Sequence, residues 1–276
     1  MQKDHVIDWK DANLERQIKY ICGKDGEIRL SDLEGIDEME LGTADEISDP
    51  SALSELVWLK KLFIEVKPNT SIAFLENLVD LKELSVVSYR ELDFAPLKGL
   101  KKLKTLLLAG DLMVDICPQN IAALGELTSL EELKLMDIQD VDLSFLEKLH
   151  GLKKLELIEL GAMSHTRSIT ASPKLRKLTL FELILSDVDF LCRLDHRLQY
   201  LDITSNVIFD ASSLSALPKI TSGQYEIASN EIGGLEFLRP FSNQPNVTGN
   251  SEIEEKTFNW YMKGPQKDYW NLKNQK

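Results

Sequence analysis

Leucine recurs at fixed steps along most of this chain. In the stretch LTSLEELKLMDIQDVDLSFLEKLHGLKKLELIEL, residues 127–160, leucines follow one another at steps of three, three and two, and the same steps return 22 residues later. Nine such units can be traced, most of them 22 or 23 residues apart, over residues 30–41, 53–64, 75–86, 97–108, 124–135, 146–157, 175–180, 191–203 and 214–227. A repeat of this length predicts a solenoid, in which each unit buries its apolar side chains against its neighbours.

The steps within one unit predict a tight turn followed by a strand. A coiled coil would instead need apolar residues that alternate three and four apart over many heptads. Here a run of threes ends in a step of two, which is the alternation of a β-strand. Segments such as LEELKL and LKKLEL are therefore expected to be short parallel strands, each preceded by a helical or irregular segment.

This pattern resembles the leucine-rich repeat family, and within it the short 22-residue class of internalins and phosphatase-regulating repeat proteins. The resemblance covers residues 28–240. It implies an α/β fold: a right-handed β-α superhelix with a curved parallel β-sheet on its concave face and short helical or 3-10 segments on its convex face. The domains expected from it are a helical N-terminal cap (1–29), a solenoid of about nine repeats (30–240) and a C-terminal cap or tail (241–276).

The N-terminal segment resembles the small helical cap that precedes the repeats in internalin-like bacterial proteins. The residues that match this cap are Asp11, Asn13, Leu14, Glu15, Ile18, Gly26, Ile28, Asp32 and Leu33. We expect the segment to form a helix and to cover the open edge of the first repeat. The sequence also departs from the family, which usually has Asn five residues after the strand leucine. Only Asn206 and Asn230 match that position here.

Composition and charge limit the classes of partner. The chain has 43% hydrophobic and 28% charged residues and a formal net charge of −13. This acidity argues against nucleic acid or a membrane surface as partner, because binding to phosphate groups needs clustered Lys and Arg. The three cysteines lie far apart, as expected for reduced thiols, and the N-terminal residues contain no apolar run long enough for a signal-peptide core. We therefore expect a cytoplasmic protein, with a monomer favoured.

No motif predicts catalysis. The segment GKDG at residues 23–26 is too short for a phosphate-binding loop and is typical of a turn. The sequence contains neither a G-x-S-x-G elbow nor an H-E-x-x-H pair, and its four histidines lack the spacing of metal ligands. We expect a non-enzymatic protein with no catalytic residue, no cofactor and no metal.

The outward positions of the strands carry the candidate site. In each strand, the residues one and three past the closing leucine point away from the interior. Several of them are apolar, and contiguous apolar patches usually mark binding sites. The predicted centre of a protein-binding surface is Phe63, Val87, Leu107, Met136, Ile158 and Phe181, and its predicted rim is Glu65, Glu156, Glu159, Glu182, Asp202 and Glu226. A register shift by one residue, or coverage by the aromatic-rich C-terminal tail, would remove this surface.

The sequence thus predicts a protein-interaction module that binds a partner protein on its concave face. Among biological roles it favours a bacterial inhibitor or immunity protein that neutralises a toxin or enzyme, because an acidic binding face suits a basic partner. Two alternatives remain open, a regulatory adaptor or scaffold similar to phosphatase-regulating repeat proteins, and an exported internalin-like adhesin. Fold alone does not name the partner.

Overall fold

A computed structural model describes most of the chain. The described residues are 3–42, 47–88, 92–110, 118–161, 163–194, 198–217, 221–241 and 245–253. They divide into two compact units, residues 1–138 and 139–276, and each unit is described by itself. Most of the aromatic-rich tail, with Phe258 and Trp260, lies outside the described residues, and so does Cys117.

The first unit consists of one α-helix followed by parallel strands that alternate with 3-10 helices. Helix α1 spans Ala12–Cys22. The strands pair in chain order and in parallel: β1 (Glu38–Leu41), β2 (Lys61–Val66), β3 (Glu83–Ser88), β4 (Thr105–Ala109) and β5 (Glu132–Met136). The 3-10 helices are Leu30–Leu33, Ser51–Glu55, Ala73–Asn77, Ala95–Gly99 and Ile121–Glu126. One repeat of the sequence therefore corresponds to one step across the sheet.

The second unit continues the alternation of strand and 3-10 helix and adds further strands. Its strands are β6 (Val141–Asp142), β7 (Lys154–Ile158), β8 (Met163–Ser164), β9 (Lys177–Phe181), β10 (Ile184–Asp187), β11 (Leu198–Thr204), β12 (Val207–Asp210), β13 (Thr221–Ala228), β14 (Glu231–Ile232), β15 (Val247–Thr248) and β16 (Ser251–Glu252). The 3-10 helices are Leu143–Lys148, Thr166–Thr170, Asp189–Arg193, Ser212–Ala216 and Leu235–Phe241.

Strands of the second unit pair in three parallel groups. Strands β7, β9, β11, β13 and β15 hydrogen-bond in that order. Strands β10, β12, β14 and β16 form a separate sheet, and β6 pairs with β8. The leucine pattern predicts strands β7, β9, β11 and β13, but it predicts neither β15 nor the second sheet. Parallel pairing also extends past residue 240, where the solenoid was predicted to end, since β15 pairs with β13 and β16 with β14.

The leucine steps of three follow from the geometry of the 3-10 helix. In the second repeat, the Leu56 N–H donates to the Leu53 carbonyl at 3.0 Å, and the Leu59 N–H donates to the Leu56 carbonyl at 3.0 Å. A 3-10 helix has three residues per turn, so side chains three apart lie on one face. All three leucines are fully buried. The predicted tight segment before each strand is confirmed, and its spacing is that of a 3-10 turn.

Three asparagines form a hydrogen-bonded ladder inside the second unit. The side-chain oxygen of Asn206 accepts from the Leu183 N–H at 2.9 Å, and that of Asn230 accepts from the Asn206 N–H at 2.9 Å. The oxygen of Asn250 accepts from the Asn230 N–H at 3.0 Å. Asn206 and Asn230 are the two asparagines that match the usual Asn position of leucine-rich repeats in the sequence. Asn250 was not predicted because the last repeat is shorter than the others.

Helix α1 lies where the sequence predicts a helix, and its N-cap ties it to the loop after β1. One carboxylate oxygen of Asp11 accepts from the N–H groups of Asn13 and Leu14 at 2.8 and 3.0 Å. The other oxygen accepts from the Ser48 N–H at 2.7 Å. The Gly42 N–H, just past β1, donates to the side chain of Gln17 at 2.7 Å. These bonds hold the helix against the first repeat, and its function as a cap remains a prediction.

Candidate protein-binding surface

Three outward-facing rows of side chains cross the strands of each unit. Along β2, the residues Leu62, Ile64 and Val66 are buried while Lys61, Phe63 and Glu65 face outward. In parallel register, each outward residue lies beside its counterpart on the next strand, about 4.8 Å away. We number the rows along the strand direction, so that in β2 the first row contains Lys61, the second Phe63 and the third Glu65. This is the register on which the predicted surface depends.

In the first unit, the predicted apolar residues form a zigzag across four strands. Phe63 and Leu107 belong to the second row, and Val87 and Met136 belong to the third. Each strand from β2 to β5 contributes one of them, and successive members lie diagonally, about 8 Å apart from the strand spacing and rise. All four are half-buried. We call these four residues the apolar zigzag.

Smaller and charged residues interrupt each row of the first unit. Ser85 lies between Phe63 and Leu107 in the second row, and the buried Ala109 lies between Val87 and Met136 in the third. The predicted rim residue Glu65 is half-buried and is in register with Val87 on the next strand. Small side chains therefore separate the members of the apolar zigzag within each of these two rows.

In the second unit, Ile158 and Phe181 are direct neighbours in the third row. They occupy matching positions on β7 and β9, and both are half-buried. The rim residues Glu159 and Glu182 directly follow them, each with a left-handed backbone (φ 51° and 52°). The Glu159 N–H donates to the Phe181 carbonyl at 2.9 Å. Both glutamates therefore stand where the chain turns away from the sheet.

The remaining rim residues of the second unit share its second row. Glu156, Thr179, Asp202 and Glu226 lie in register on β7, β9, β11 and β13, and we call them the acidic row. The Asp202 carboxylate accepts from the Thr204 hydroxyl at 2.6 Å, which fixes one of its oxygens. Glu226 is exposed. Three carboxylates in one row create a region of negative potential on this part of the sheet.

The effect of this negative potential is visible at Tyr200, which precedes the acidic row on β11. Burial raises the pKa of the Tyr200 hydroxyl, and the negative charges of Asp202, Glu226 and Glu156 raise it further. The hydroxyl lies 3.4 Å from the Asp202 carboxylate. Its proton is therefore held more firmly than that of an ordinary tyrosine.

Several solved structures are similar to this chain along most of its length. Internalin C2 from Listeria monocytogenes matches with a TM-score of 0.52 and 22% sequence identity, over 88% of this chain and 93% of that chain. The internalin InlF of the same organism gives 0.52 and 19%, over 93% of each chain. The chain has the leucine-rich repeat fold. No protein-family model matches the sequence, and no curated protein matches it.

A plant receptor shares the leucine-rich repeat fold as well. The ectodomain of the Arabidopsis thaliana receptor kinase GASSHO1/SCHENGEN3, in complex with Casparian Strip Integrity Factor 2, matches with a TM-score of 0.51 and 19% identity. The match covers 76% of this chain and 26% of the receptor chain. At these identities, the similarity establishes the leucine-rich repeat fold and leaves function to be argued from the surface.

The first outward row of the second unit was not among the predicted site residues. It consists of Lys154, Lys177, Tyr200 and Gln224, in register on β7, β9, β11 and β13. These residues line a cavity of about 660 Å³ on the sheet surface. The available signal was the residue directly before the closing leucine of each repeat, which also points outward by strand alternation.

Three further features concern metal ligands, membrane-spanning helices and cysteine thiols. Within the described ranges, no three His, Cys, Asp or Glu side chains gather closely enough to hold a metal ion. In that same portion of the chain, no helix has the length and apolar character needed to cross a membrane. The thiols of Cys22 and Cys192 are both free.

Proposed function

We propose that this chain is a protein-binding module and that outward residues of its parallel strands contact a partner protein. The observation that carries the proposal is the apolar zigzag, which places one apolar side chain at an outward position on each strand from β2 to β5. Outward positions of a solvated sheet are ordinarily polar. Aromatic and Met side chains at the centre of a patch, with polar residues around them, are typical of the core of a protein interface.

The acidic row supports a partner with a basic surface. Glu156, Asp202 and Glu226 share one row of the second unit, and the whole chain has a net charge of −13. Complementary charge speeds encounter with a basic partner and disfavours acidic ones. The biological role we propose is an inhibitor that sequesters a basic toxin or enzyme by covering its functional surface, as an immunity protein does. This role requires no catalytic residue in the chain.

Capture of the partner by variants of the surface tests this proposal. Phe63→Glu combined with Met136→Glu places two charges at the ends of the apolar zigzag, both on half-buried outward side chains. The matched control is Val79→Glu, an apolar residue that is 47% exposed and lies outside the strands. We expect the wild-type protein and the control to retain one stoichiometric partner from a lysate of the source organism, and the double variant to bind it at least about 100-fold more weakly.

A second measurement separates the inhibitor from other binders. The captured partner is purified, and its activity is assayed with and without an equimolar amount of this protein. Stoichiometric inhibition that disappears with the Phe63→Glu, Met136→Glu variant supports the proposed role. Binding without inhibition favours an adaptor, and equal capture by all three proteins would refute the proposed surface. Circular dichroism of each variant checks that the repeats remain folded.

A further inference from the structure

Two lysines lie side by side in the first outward row of the second unit. Lys154 on β7 and Lys177 on β9 are direct cross-strand neighbours. Like charges at directly opposite positions of neighbouring strands repel each other and destabilise the pair. Such an arrangement is stabilised when an anion lies between the two ammonium groups.

The first row of the first unit contains one lysine, and a carboxylate on the next strand neutralises it. Lys61 on β2 lies 3.2 Å from the carboxylate of Glu83, its direct neighbour on β3. In the second unit, Lys154 contacts Glu156 on its own strand at 3.2 Å. Among the residues that the structure describes, Lys177 has no ion-pair partner. The first row of the second unit therefore carries a positive charge that its neighbours on the sheet do not neutralise.

A cavity lies above this row, and most of the side chains that line it can donate hydrogen bonds. Its volume is about 660 Å³, and it is lined by Lys154, Glu156, Lys177, Thr179, Gln199, Tyr200 and Gln224. Glu156 contacts the Lys154 ammonium group, and the Tyr200 hydroxyl donates to Asp202. The Lys177 ammonium group and the amide NH₂ groups of Gln199 and Gln224 are the donors that match the acceptor oxygens of a carboxylate. Donors of this kind, set in a concave surface, are suited to a single anionic side chain.

We propose that this cavity binds an Asp or Glu side chain of the partner protein, with its carboxylate between Lys154 and Lys177. The inference rests on the proposed function and names one contact within it. The acidic row lies two residues further along each strand, about 6.6 Å away. An extended partner segment spaces its residues i and i+2 by about the same distance. The partner segment therefore presents an acidic residue to the cavity and a basic residue, two positions away, to the acidic row.

The probe for this site is the blocked peptide acetyl-tetraglutamate-amide, titrated into the isotope-labelled full-length protein. Acetyl-tetraglutamine-amide is the uncharged control peptide. We expect tetraglutamate to shift the backbone amide resonances of Lys154, Lys177, Tyr200 and Gln224 in a saturable way, with little change elsewhere. Tetraglutamine is expected to shift none of them, because its amide groups carry no charge.

Two charge-matched variants decide whether the binding is specific. Lys177→Gln removes the unneutralised charge and is expected to weaken tetraglutamate binding about tenfold, the effect of losing one charge-assisted hydrogen bond. Arg167→Gln removes one exposed positive charge from a 3-10 helix of the same unit, outside the cavity lining. It is expected to leave the affinity unchanged. Equal weakening by both variants, or resonance shifts scattered over the chain, would show non-specific attraction and overturn the inference.

The outcome is separable from that of the proposed function. If tetraglutamate does not bind while Phe63→Glu, Met136→Glu still abolishes partner capture, the carboxylate site is wrong and the protein-binding module stands. If tetraglutamate binds at the cavity while partner capture is indifferent to that double variant, the apolar zigzag is wrong as the contact surface and the carboxylate site stands.

Discussion

Replacement of Asn230 by Ala tests the ladder of asparagines in the second unit. The Asn230 side chain is 1% exposed. Its oxygen accepts from the Asn206 N–H at 2.9 Å, and its NH₂ group donates to the Ile203 carbonyl at 2.8 Å and to the Asn250 side chain at 2.9 Å. An alanine would leave the Asn206 N–H buried and without this acceptor. We expect Asn230→Ala to remove a connection between three successive repeats.

The magnitude follows from these contacts. A buried donor left unsatisfied costs about 1–3 kcal/mol, and each lost hydrogen bond that is otherwise replaced by water costs about 1 kcal/mol. Asn230→Ala should therefore lower the free energy of unfolding by about 3 kcal/mol. Asn250 makes equivalent bonds, donating to the Ile227 carbonyl at 2.9 Å, but it is half-buried. Water can replace part of its contribution, and Asn250→Ala should cost about 1 kcal/mol.

Urea denaturation followed by circular dichroism measures these differences. The control is Asn246→Ala in the same unit, where an exposed side chain donates to the Tyr225 carbonyl at 3.0 Å. Its effect should stay within about 0.5 kcal/mol. The reasoning would be refuted if Asn230→Ala were as mild as the control, or if Asn250→Ala were more destabilising than Asn230→Ala. Unchanged denaturant slopes in all variants would show that the unfolding reaction itself is the same.

Three further predictions concern the first unit and the thiols. Gly42→Ala should destabilise the protein by at least about 2 kcal/mol, measured by the same denaturation, because φ is +94° and an added Cβ would lie 2.3 Å from a backbone oxygen of β2. At Asp11, burial acts to raise the pKa, but hydrogen bonds from a serine hydroxyl and backbone N–H groups outweigh it and lower the pKa. The stability that this carboxylate contributes is therefore complete above about pH 4 and is lost as the pH falls through its folded pKa. The difference between wild type and Asp11→Asn in unfolding free energy should shrink with acidification, and a constant difference would contradict this. Cys192 should react with a thiol reagent faster than Cys22. Cys192 is exposed, whereas burial and a nearby Asp raise the pKa of Cys22. Equal labelling rates of the two cysteine peptides in mass spectrometry would contradict this.

Much of the fold could be predicted from the sequence because the leucine spacing reports the local backbone directly. Steps of three match the 3-10 turn, in which Leu56 bonds back to Leu53, and the step of two marks the strand that follows. The short strands β10 and β12 were not predicted. They come after the repeated leucine pattern of each unit, and their own apolar residues do not recur at a fixed spacing. The asparagine ladder was recognised in part, at Asn206 and Asn230, where the spacing of the repeats is regular.

The sequence by itself determined the alternation of inward and outward positions along each strand, because leucine spacing and strand alternation are local properties of the chain. It also identified the members of the apolar zigzag and the three carboxylates of the acidic row. Only the tertiary structure decided which outward residues become neighbours. Pairing between strands sets Lys154 beside Lys177 but Lys61 beside Glu83, and these partners are more than 20 residues apart in the chain. Whether such neighbours neutralise each other's charge depends on how two whole repeats pair. A single stretch of sequence does not specify that pairing.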